Sequence, residues 1–311
     1  MRDTDAPLTG IGLKLVSVVV FITMSTLIKI IGHRVPPGEV VFFRSAFAIP
    51  VILVWLGATR SLRTGLATRN YMGHFWRGLA GTAAMGFGFA GLGLLPLPEV
   101  TAIGYAAPLL TVVFAAMFLG EEVRTFRFLA VAIGLLGVLI IVSPRLTALR
   151  DGTVGATEAL GAVVLLVGAV FTALAQVFVR RLVSVESTSA IVFFFSLNSA
   201  LLSLVTLPFG WNWPDLQTAA LLIVTGLLGG VGQVFLTSAY RHADASVVAP
   251  FDYASMLLSI VIGYVGFGEV PGGATVLGAA IVILAGIIII WREHQLGLER
   301  VRQRESMTPQ G

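Results

Sequence analysis

The sequence predicts an all-α integral membrane protein, with ten transmembrane helices arranged as two inverted five-helix repeats around a central cavity. Three observations predict this fold: the apolar composition, the distribution of basic residues and an internal repeat. Of the 311 residues, 57% are hydrophobic and 12% are charged, whereas about 25% of the residues in a soluble domain are charged. So few charged side chains cannot cover a water-exposed surface, and most of the chain is expected to face lipid.

Ten apolar runs follow one another along the chain, each bounded by Arg, Pro, Gly or acidic residues. Each has roughly the 20 residues that a helix needs to cross a hydrocarbon layer about 30 Å thick. The runs are 11–31, 37–57, 73–94, 98–119, 124–143, 157–179, 187–208, 216–239, 245–267 and 271–291. The first run lacks a small-residue cleavage site and is expected to be a retained helix.

The runs divide the chain into four parts. A short cytoplasmic N-terminus (1–9) precedes a first five-helix repeat (10–144), and a second five-helix repeat (155–292) precedes a cytoplasmic C-terminal tail (293–311). This tail is charged and is expected to be poorly ordered.

The basic residues predict the orientation. If both termini are cytoplasmic, fifteen lysines and arginines lie in cytoplasmic segments, Lys14 and Arg77 among them, and three lie in external loops, namely Arg34, Arg145 and Arg150. Basic residues are retained on the cytoplasmic side, so the protein is expected in a bacterial inner membrane with both termini inside. Membrane topology therefore explains the net charge of +4. The predicted partners are membrane lipids, and binding to nucleic acid is not expected.

An internal repeat appears when residues 78–121 are displaced by 148 positions onto 226–269. Tyr105 then meets Tyr253, and the pair Gly120-Glu121 meets Gly268-Glu269, without a gap. The predicted topology puts the two Gly-Glu pairs on opposite sides of the membrane, so the halves are inverted. Many secondary transporters have such repeats, with a binding site near the midplane between them.

Each half also has a helix that ends in Gly-Glu, within Phe118-Leu119-Gly120-Glu121 and Gly266-Phe267-Gly268-Glu269, and the first half has Leu95-Pro96-Leu97-Pro98-Glu99-Val100-Thr101-Ala102-Ile103 leading into Pro108-Leu109. In these features the chain resembles the EamA family of the drug/metabolite transporter superfamily over nearly its whole length. The resemblance implies two five-helix bundles, a central cavity, export or uptake of a small-molecule metabolite and no bound cofactor. The first half is most similar to bacterial carriers proposed for S-adenosylmethionine or riboflavin. Small multidrug exporters use a glutamate in the first helix, but Gly12–Ile31 contains no acid, so cation exchange by that route is not expected.

Two charged residues lie deep in the apolar runs. Arg44 is about seven residues, or roughly 10 Å, into the second run; it could hold a carboxylate or phosphate, reach the interface, or pair with Glu99. Asp252 is about eight residues into the ninth run, where a carboxylate is costly unless paired, hydrated or protonated. It is the candidate for proton coupling, and the alternative is a structural hydrogen bond to the backbone or to Gln233. Lys29 is expected to reach the outer interface with its long side chain.

Five uncharged side chains complete the predicted substrate site. Tyr105 and Tyr253 could sandwich a planar substrate, or belong to the interfacial aromatic belts. Gln176, Asn198 and Gln233 lie within helices, where polar amides either bridge neighbouring helices or line a cavity.

The sequence favours a secondary transporter, with a lipid flippase or a structural membrane subunit as alternatives. Glycines such as Gly78, Gly81, Gly226 and Gly229 are expected to allow close helix packing. An intramembrane enzyme is disfavoured because the sequence contains no His-Glu-x-x-His and no Gly-x-Ser-x-Gly motif. The absence of cysteine excludes thiolate metal sites.

Overall fold

The computed structural model describes residues 7–120, 125–151, 156–183, 185–242 and 249–307, and every regular element within these ranges is helical. Glu121, part of the predicted Gly-Glu pair, lies outside the described residues. The helices are α1 (Pro7–Ile31), α2 (Pro37–Ala46), α3 (Ala48–Ala58), α4 (Leu62–Gly65), α5 (Tyr71–Leu94), α6 (Leu97–Gly104), α7 (Ala106–Leu119), α8 (Thr125–Asp151), α9 (Ala156–Val183), α10 (Thr188–Ser203), α11 (Leu216–His242), α12 (Ala254–Phe267) and α13 (Gly273–Met307), with 3-10 helices at Leu204–Thr206 and Ala249–Tyr253.

Eight helical stretches of the described chain are long and apolar enough to cross a membrane. They are Leu8–Ile31, Pro37–Ala58, Leu97–Leu119, Thr125–Thr147, Ala156–Leu182, Thr188–Thr206, Leu216–Ala239 and Gly273–Arg292. The apolar helix Phe251–Phe267 is shorter, and α5 has 24 residues but includes His74 and Arg77, which make it less apolar. Large apolar side chains such as Val54 and Phe128 are exposed on the outside, as expected where the surroundings are lipid.

Two of the predicted spans are interrupted helices. The span from Pro37 breaks at Phe47, and the span from Leu97 breaks at Tyr105. A proline follows each break three residues later, at Pro50 and Pro108. Because proline has no amide hydrogen and its ring clashes with the carbonyl four residues earlier, it favours a break in each helix at this point.

The helices α7 and α12 have matching ends. Each contains fourteen residues, follows a tyrosine in the right-handed helical conformation, Tyr105 or Tyr253, and ends at a left-handed glycine, Gly120 (φ 66°) or Gly268 (φ 67°). Glycine adopts a positive φ without the steric cost that other residues incur, which explains its place as the helix terminator. The two segments lie 148 positions apart, which is the displacement of the sequence repeat.

Helices from the two halves of the chain pack against each other: α1 against α11, α5 against α9, α8 against α13, and α10 against α2 and α5. The apolar core has one part around Ile28 and Leu92 and another around Ile103 and Leu165. The last helix, α13, continues to Met307 and so includes most of the predicted C-terminal tail. This segment is rich in Glu, Gln, Leu and Arg, which favour the helix.

Candidate functional site

A cavity of about 470 Å³ lies between α1, α2, α5, α6, α9, α10, α11 and the start of α12. Its volume falls within the range of about 300–1,000 Å³ that is usual for small-molecule sites. The wall is mainly apolar, with polar side chains contributed by both halves of the chain. These are Ser25, Arg44, Arg77, Thr101, Thr172, Gln176, Gln233, Asp252 and Ser255.

Four of the seven side chains predicted for the site line this cavity. Arg44, Gln176, Gln233 and Asp252 come from four different segments of the chain and face the same space. From the helical rise, the sequence predicted that Arg44 and Asp252 lie at similar depths, one entering from each side of the membrane. In the structure both line the same cavity. The other three residues, both tyrosines and one asparagine, lie behind its wall.

The two tyrosines contact each other, and each directly precedes one of the matching helices α7 and α12. The ring centroids of Tyr105 and Tyr253 are 5.1 Å apart with an interplanar angle of 74°, and the Tyr105 hydroxyl lies 2.7 Å from Oγ of Ser255. The geometry differs from the predicted sandwich, because a planar substrate could stack between the rings only if they separated. Ser255 connects the pair to the cavity wall.

Asn198 bridges two helices. Its Nδ2 donates a hydrogen bond to the carbonyl oxygen of His74 at 3.0 Å, and a Cβ at Gly78 would lie 2.6 Å from the Asn198 Cβ. Only a glycine at position 78 leaves room for this contact, which joins α5 to α10. The helix-bridging alternative describes Asn198 better than a direct position in the cavity.

Two arginines share one aromatic ring in the cavity wall. The guanidinium carbons of Arg44 and Arg77 lie 5.7 Å and 3.9 Å from the ring centroid of Phe195. Arg44 is 3% exposed, and Nε and one terminal nitrogen of each arginine have no hydrogen-bond partner among the described residues. The alternative that Arg44 pairs with Glu99 is wrong, because the Glu99 oxygens accept hydrogen bonds from Arg145 at 2.7 and 3.2 Å.

Arg77 is the cavity residue that the sequence analysis missed. It was counted with the cytoplasmic loops, but it lies about six residues, or roughly 9 Å, into α5 and lines the cavity. Its depth in an apolar run was the signal that could have identified it. The absence of a side chain at Gly81, one helical turn later, provides the space for its guanidinium group.

Asp252 is paired at one end of the cavity. Its Oδ1 lies 2.7 Å from Nζ of Lys14, and the side chains are 50% and 3% exposed, respectively. Lys14 is thus a partner of Asp252 that the sequence analysis did not name. Lys14 and Arg77 both lie inside helices. Without them, thirteen basic residues remain in the predicted cytoplasmic segments, against three in the predicted external loops. We call this part of the site the Asp252 end.

A second lysine–carboxylate pair lies at the opposite end, which we call the Glu269 end. Nζ of Lys29 lies 2.9 Å from Oε1 of Glu269 and donates to the Leu95 carbonyl at 2.7 Å, while the Leu97 amide donates to Oε2 of Glu269 at 2.8 Å. The Lys29 side chain is 11% exposed and is held by these protein groups, and its extension to the outer interface stays a prediction. Because Leu97 also lines the cavity, this pair covers its adjoining end.

The Glu269 end carries a further ion pair on its outer side. Arg145 holds both oxygens of Glu99 and also contacts Glu158. The Glu99 side chain is 8% exposed and that of Glu158 is 37% exposed. Charged side chains therefore link α6, α8 and α9 at the same end of the molecule where the first pair links α1 to the end of α12.

A helical membrane fold with a polar cavity, built from both halves of the chain and bordered at each end by ion pairs, defines a small-molecule membrane transport protein. The model of the EamA-like transporter family matches residues 8–143 and 159–292. The chain belongs to this family, which confirms the prediction from the sequence.

Characterised relatives extend over almost the same length. The chain is 30% identical to the pseudopaline exporter CntI of Pseudomonas aeruginosa over 285 residues, which cover 90% of this chain and 95% of the relative. It is 29% identical to an S-adenosylmethionine uptake transporter of Rickettsia felis, covering 93% and 94%. A riboflavin transporter of Rhizobium johnstonii is 31% identical, covering 83% and 82%. These relatives are transporters and not enzymes, and their names include both uptake and export.

One solved crystal structure shares the fold. It superposes with a TM-score of 0.58 at 23% sequence identity and covers 93% of this chain and 98% of the other. The chain therefore has the fold of a known structure along nearly its whole length. Its long apolar helices and its family show that it is an integral membrane protein.

Proposed function

We propose that this protein is a secondary transporter that moves a small organic metabolite across the bacterial inner membrane by alternating access. The observation that carries the proposal is the central cavity, whose polar lining includes Arg44, Gln176, Gln233 and Asp252 from both halves of the chain. A structural subunit would need no such chamber. In the proposed mechanism Arg44, Gln176 and Gln233 contact the substrate, and Asp252 exchanges a proton.

The proposed architecture is ten spans in two inverted repeats of five. The eight long apolar stretches, together with α5 and the Phe251–Phe267 helix, supply ten candidates. The matching ends of α7 and α12 support the repeat, as does the exchange symmetry of the packing: α1 contacts α11 and the equivalent α9 contacts α5. With both termini cytoplasmic, the Glu269 end faces outward and the Asp252 end inward.

Alternating access would use the two ends of the cavity in turn. Paired and hydrogen-bonded charges close the Glu269 end, while the half-exposed carboxylate of Asp252 is open to water. We propose that this conformation is the inward-open one and that the tyrosine pair at the helix breaks rearranges as the repeats tilt. Irregular backbone near the midplane is typical of transporter sites.

The names of the relatives suggest candidates for the substrate. S-adenosylmethionine, riboflavin and pseudopaline are small organic molecules, and the first two agree with the resemblance of the first half of the sequence. Uptake and export are both represented, so the direction of transport must be measured.

Proteoliposomes that contain the purified protein test the proposal. Labelled S-adenosylmethionine, riboflavin and a panel of other metabolites are offered with and without a pH gradient, and empty liposomes serve as the control. We expect saturable flux of at least one metabolite that responds to the gradient. Movement of labelled phospholipid with no metabolite flux would instead identify a flippase, and no flux of either kind would contradict the transporter.

Reporter fusions test the orientation. A fusion after Gln303, which lies near the end of α13, should be active with a cytoplasmic reporter and inactive with a periplasmic one. The reverse result would overturn the orientation of both cavity ends.

A further inference from the structure

The strongest unassigned feature of the cavity is its excess of positive charge. Three of its lining residues are charged: Arg44, Arg77 and Asp252. Asp252 is bound to Lys14, so no acidic side chain among the described lining residues remains for the two arginines. The cavity wall thus presents two guanidinium groups to whatever enters it.

The contacts with Phe195 do not offset the cost of this charge. A cation–π contact contributes about 0.5–2 kcal/mol, whereas moving a charged group out of water costs several kcal/mol. A guanidinium group stays charged at neutral pH, so it cannot avoid the cost by losing its proton. The arginines therefore need an anion, and their donor nitrogens without protein partners are available for one.

Two glycines adapt the helices to these arginines. A Cβ at Gly81 would overlap the guanidinium group of Arg77 and the ring of Phe195, and a Cβ at Gly229 would lie 3.0 Å from Nε of Arg44. These glycines are equivalent in the 148-residue repeat. The repeat thus provides a similar recess in α5 and α11, and each recess receives one arginine.

We propose that Arg44 and Arg77, which share the ring of Phe195, form an oxyanion site for a carboxylate or phosphate group on the transported metabolite. The planar fork of an arginine binds such groups through two parallel hydrogen bonds. The inference rests on the proposed transport function and narrows its substrate class to organic anions or zwitterions whose anionic group enters this site.

The site is tested on the purified full-length protein in detergent, without any transport measurement. Phenylglyoxal modifies accessible arginines, and mass spectrometry reports the rates at positions 44 and 77. Benzoate and phenyl phosphate are the anionic probes, and benzamide and benzylamine are the neutral and cationic controls at the same ionic strength. Short-chain phosphatidic acid in the micelles represents a lipid headgroup.

We expect benzoate or phenyl phosphate to slow modification of Arg44 and Arg77 and to raise the unfolding temperature, while benzamide and benzylamine do neither. Arg44→Gln and Arg77→Gln should each weaken the apparent affinity for the effective anion roughly tenfold. Lysine at either position should retain part of it, because the charge remains but the fork is lost. Arg63→Gln, at an exposed position on α4, is the matched control. Its affinity for the anion should equal that of the protein without substitutions.

Equal protection by benzamide, absence of protection by either anion, or unchanged affinity in both glutamine variants would overturn the site. Protection by phosphatidic acid alone would also overturn it, because the ligand would be a lipid. Measurements on the unmodified protein remain decisive if a variant fails to fold. If the anions protect the arginines but no metabolite is transported, the oxyanion site is supported and the transport function is contradicted. If a cation is transported and neither variant changes its flux, the transport function is supported and the oxyanion site is contradicted.

Discussion

The two ends of the cavity use the same pair of chemical groups in different surroundings. At the Glu269 end both carboxylate oxygens are bonded, one to Lys29 and one to the Leu97 amide, and the side chain is 17% exposed. At the Asp252 end the carboxylate is bonded to Lys14 but is 50% exposed. The same kind of lysine–carboxylate bond is therefore largely enclosed by protein at one end and reached by water at the other, which supports the proposal that the Glu269 end is the closed one.

The largest effect is expected when the ion pair between Lys29 and Glu269 is removed from the end of the cavity that is proposed to be closed. Glu269→Gln removes the charge that pairs with Lys29, and breaking a buried pair costs about 3 kcal/mol of stability. Because the chain has no cysteine, Leu92→Cys gives a single reporter in the cavity wall next to that end. A membrane-impermeant maleimide added on the predicted outer side should label it several-fold faster in the glutamine variant.

The control for this experiment is Leu92→Cys with the native Glu269, which should label slowly. An unchanged labelling rate in the presence of Glu269→Gln would mean that the ion pair does not close the cavity.

A smaller effect is expected at the Asp252 end. Asp252→Asn removes the carboxylate charge that pairs with the Lys14 ammonium group, which is 3% exposed. This should cost about 2 kcal/mol of stability and abolish the response of transport to a pH gradient. Substrate binding should stay measurable. The double variant Lys14→Gln/Asp252→Asn should regain most of the stability but stay insensitive to the gradient.

In the double variant we therefore expect the unfolding temperature to recover, while uptake stays insensitive to the pH gradient. If the unfolding temperature and the gradient response both recovered, Asp252 would have a structural role only.

Glu158 tests whether an exposed charge also contributes to closing the Glu269 end. It is the most exposed of the three side chains in the group formed by Arg145, Glu99 and Glu158. Glu158→Gln should cost no more than about 1 kcal/mol, as is usual for exposed ion pairs, and should leave Leu92→Cys labelling unchanged. Arg145 keeps its two bonds to Glu99 in this variant. Labelling as fast as with Glu269→Gln would show that closure depends on the whole charge group and not on its buried members.

The smallest effect is expected at Glu186, a carboxylate between α9 and α10 that is outside the cavity. Burial raises the pKa of Glu186, but hydrogen bonds from the Thr68 hydroxyl and from the amides of Arg69 and Asn70, with the charge of His74, bring it below its ordinary value of 4.5. A lowered folded-state pKa contributes stability above about pH 4.5, which is lost as the pH falls through the folded-state value.

Glu186→Gln should therefore reduce the stability slightly at pH 7 and remove part of the acid dependence of the unfolding temperature below pH 4.5. The pH profile of transport between pH 5 and 8 should not change, which would leave Asp252 as the carboxylate responsible for coupling. A shift of that profile in Glu186→Gln would contradict this assignment.

The sequence predicted those features that depend on position along one helix. Apolar run length located the helices, and helical rise located Arg44 and Asp252 in the cavity. The partner of Asp252 could not be predicted in this way, because Lys14 is distant in sequence and the pairing depends on how α1 packs against the start of α12. Arg77 was missed for another reason: it lies near the start of α5, and basic residues near a helix end commonly belong to the flanking cytoplasmic loop.

The two lysines of α1 have a mechanical consequence. Lys14 and Lys29 attach this helix to residues 252 and 269, at the two ends of the segment that includes α12. A helix attached to its neighbour at one point can rotate about that point, whereas a helix attached at two points keeps its angle to the neighbour. While both bonds hold, they oppose any change in the angle between α1 and α12. In the proposed mechanism, opening of the bond at Lys29 would leave the one at Lys14 as the point about which α1 turns, so that the ends of the two helices near Glu269 could separate.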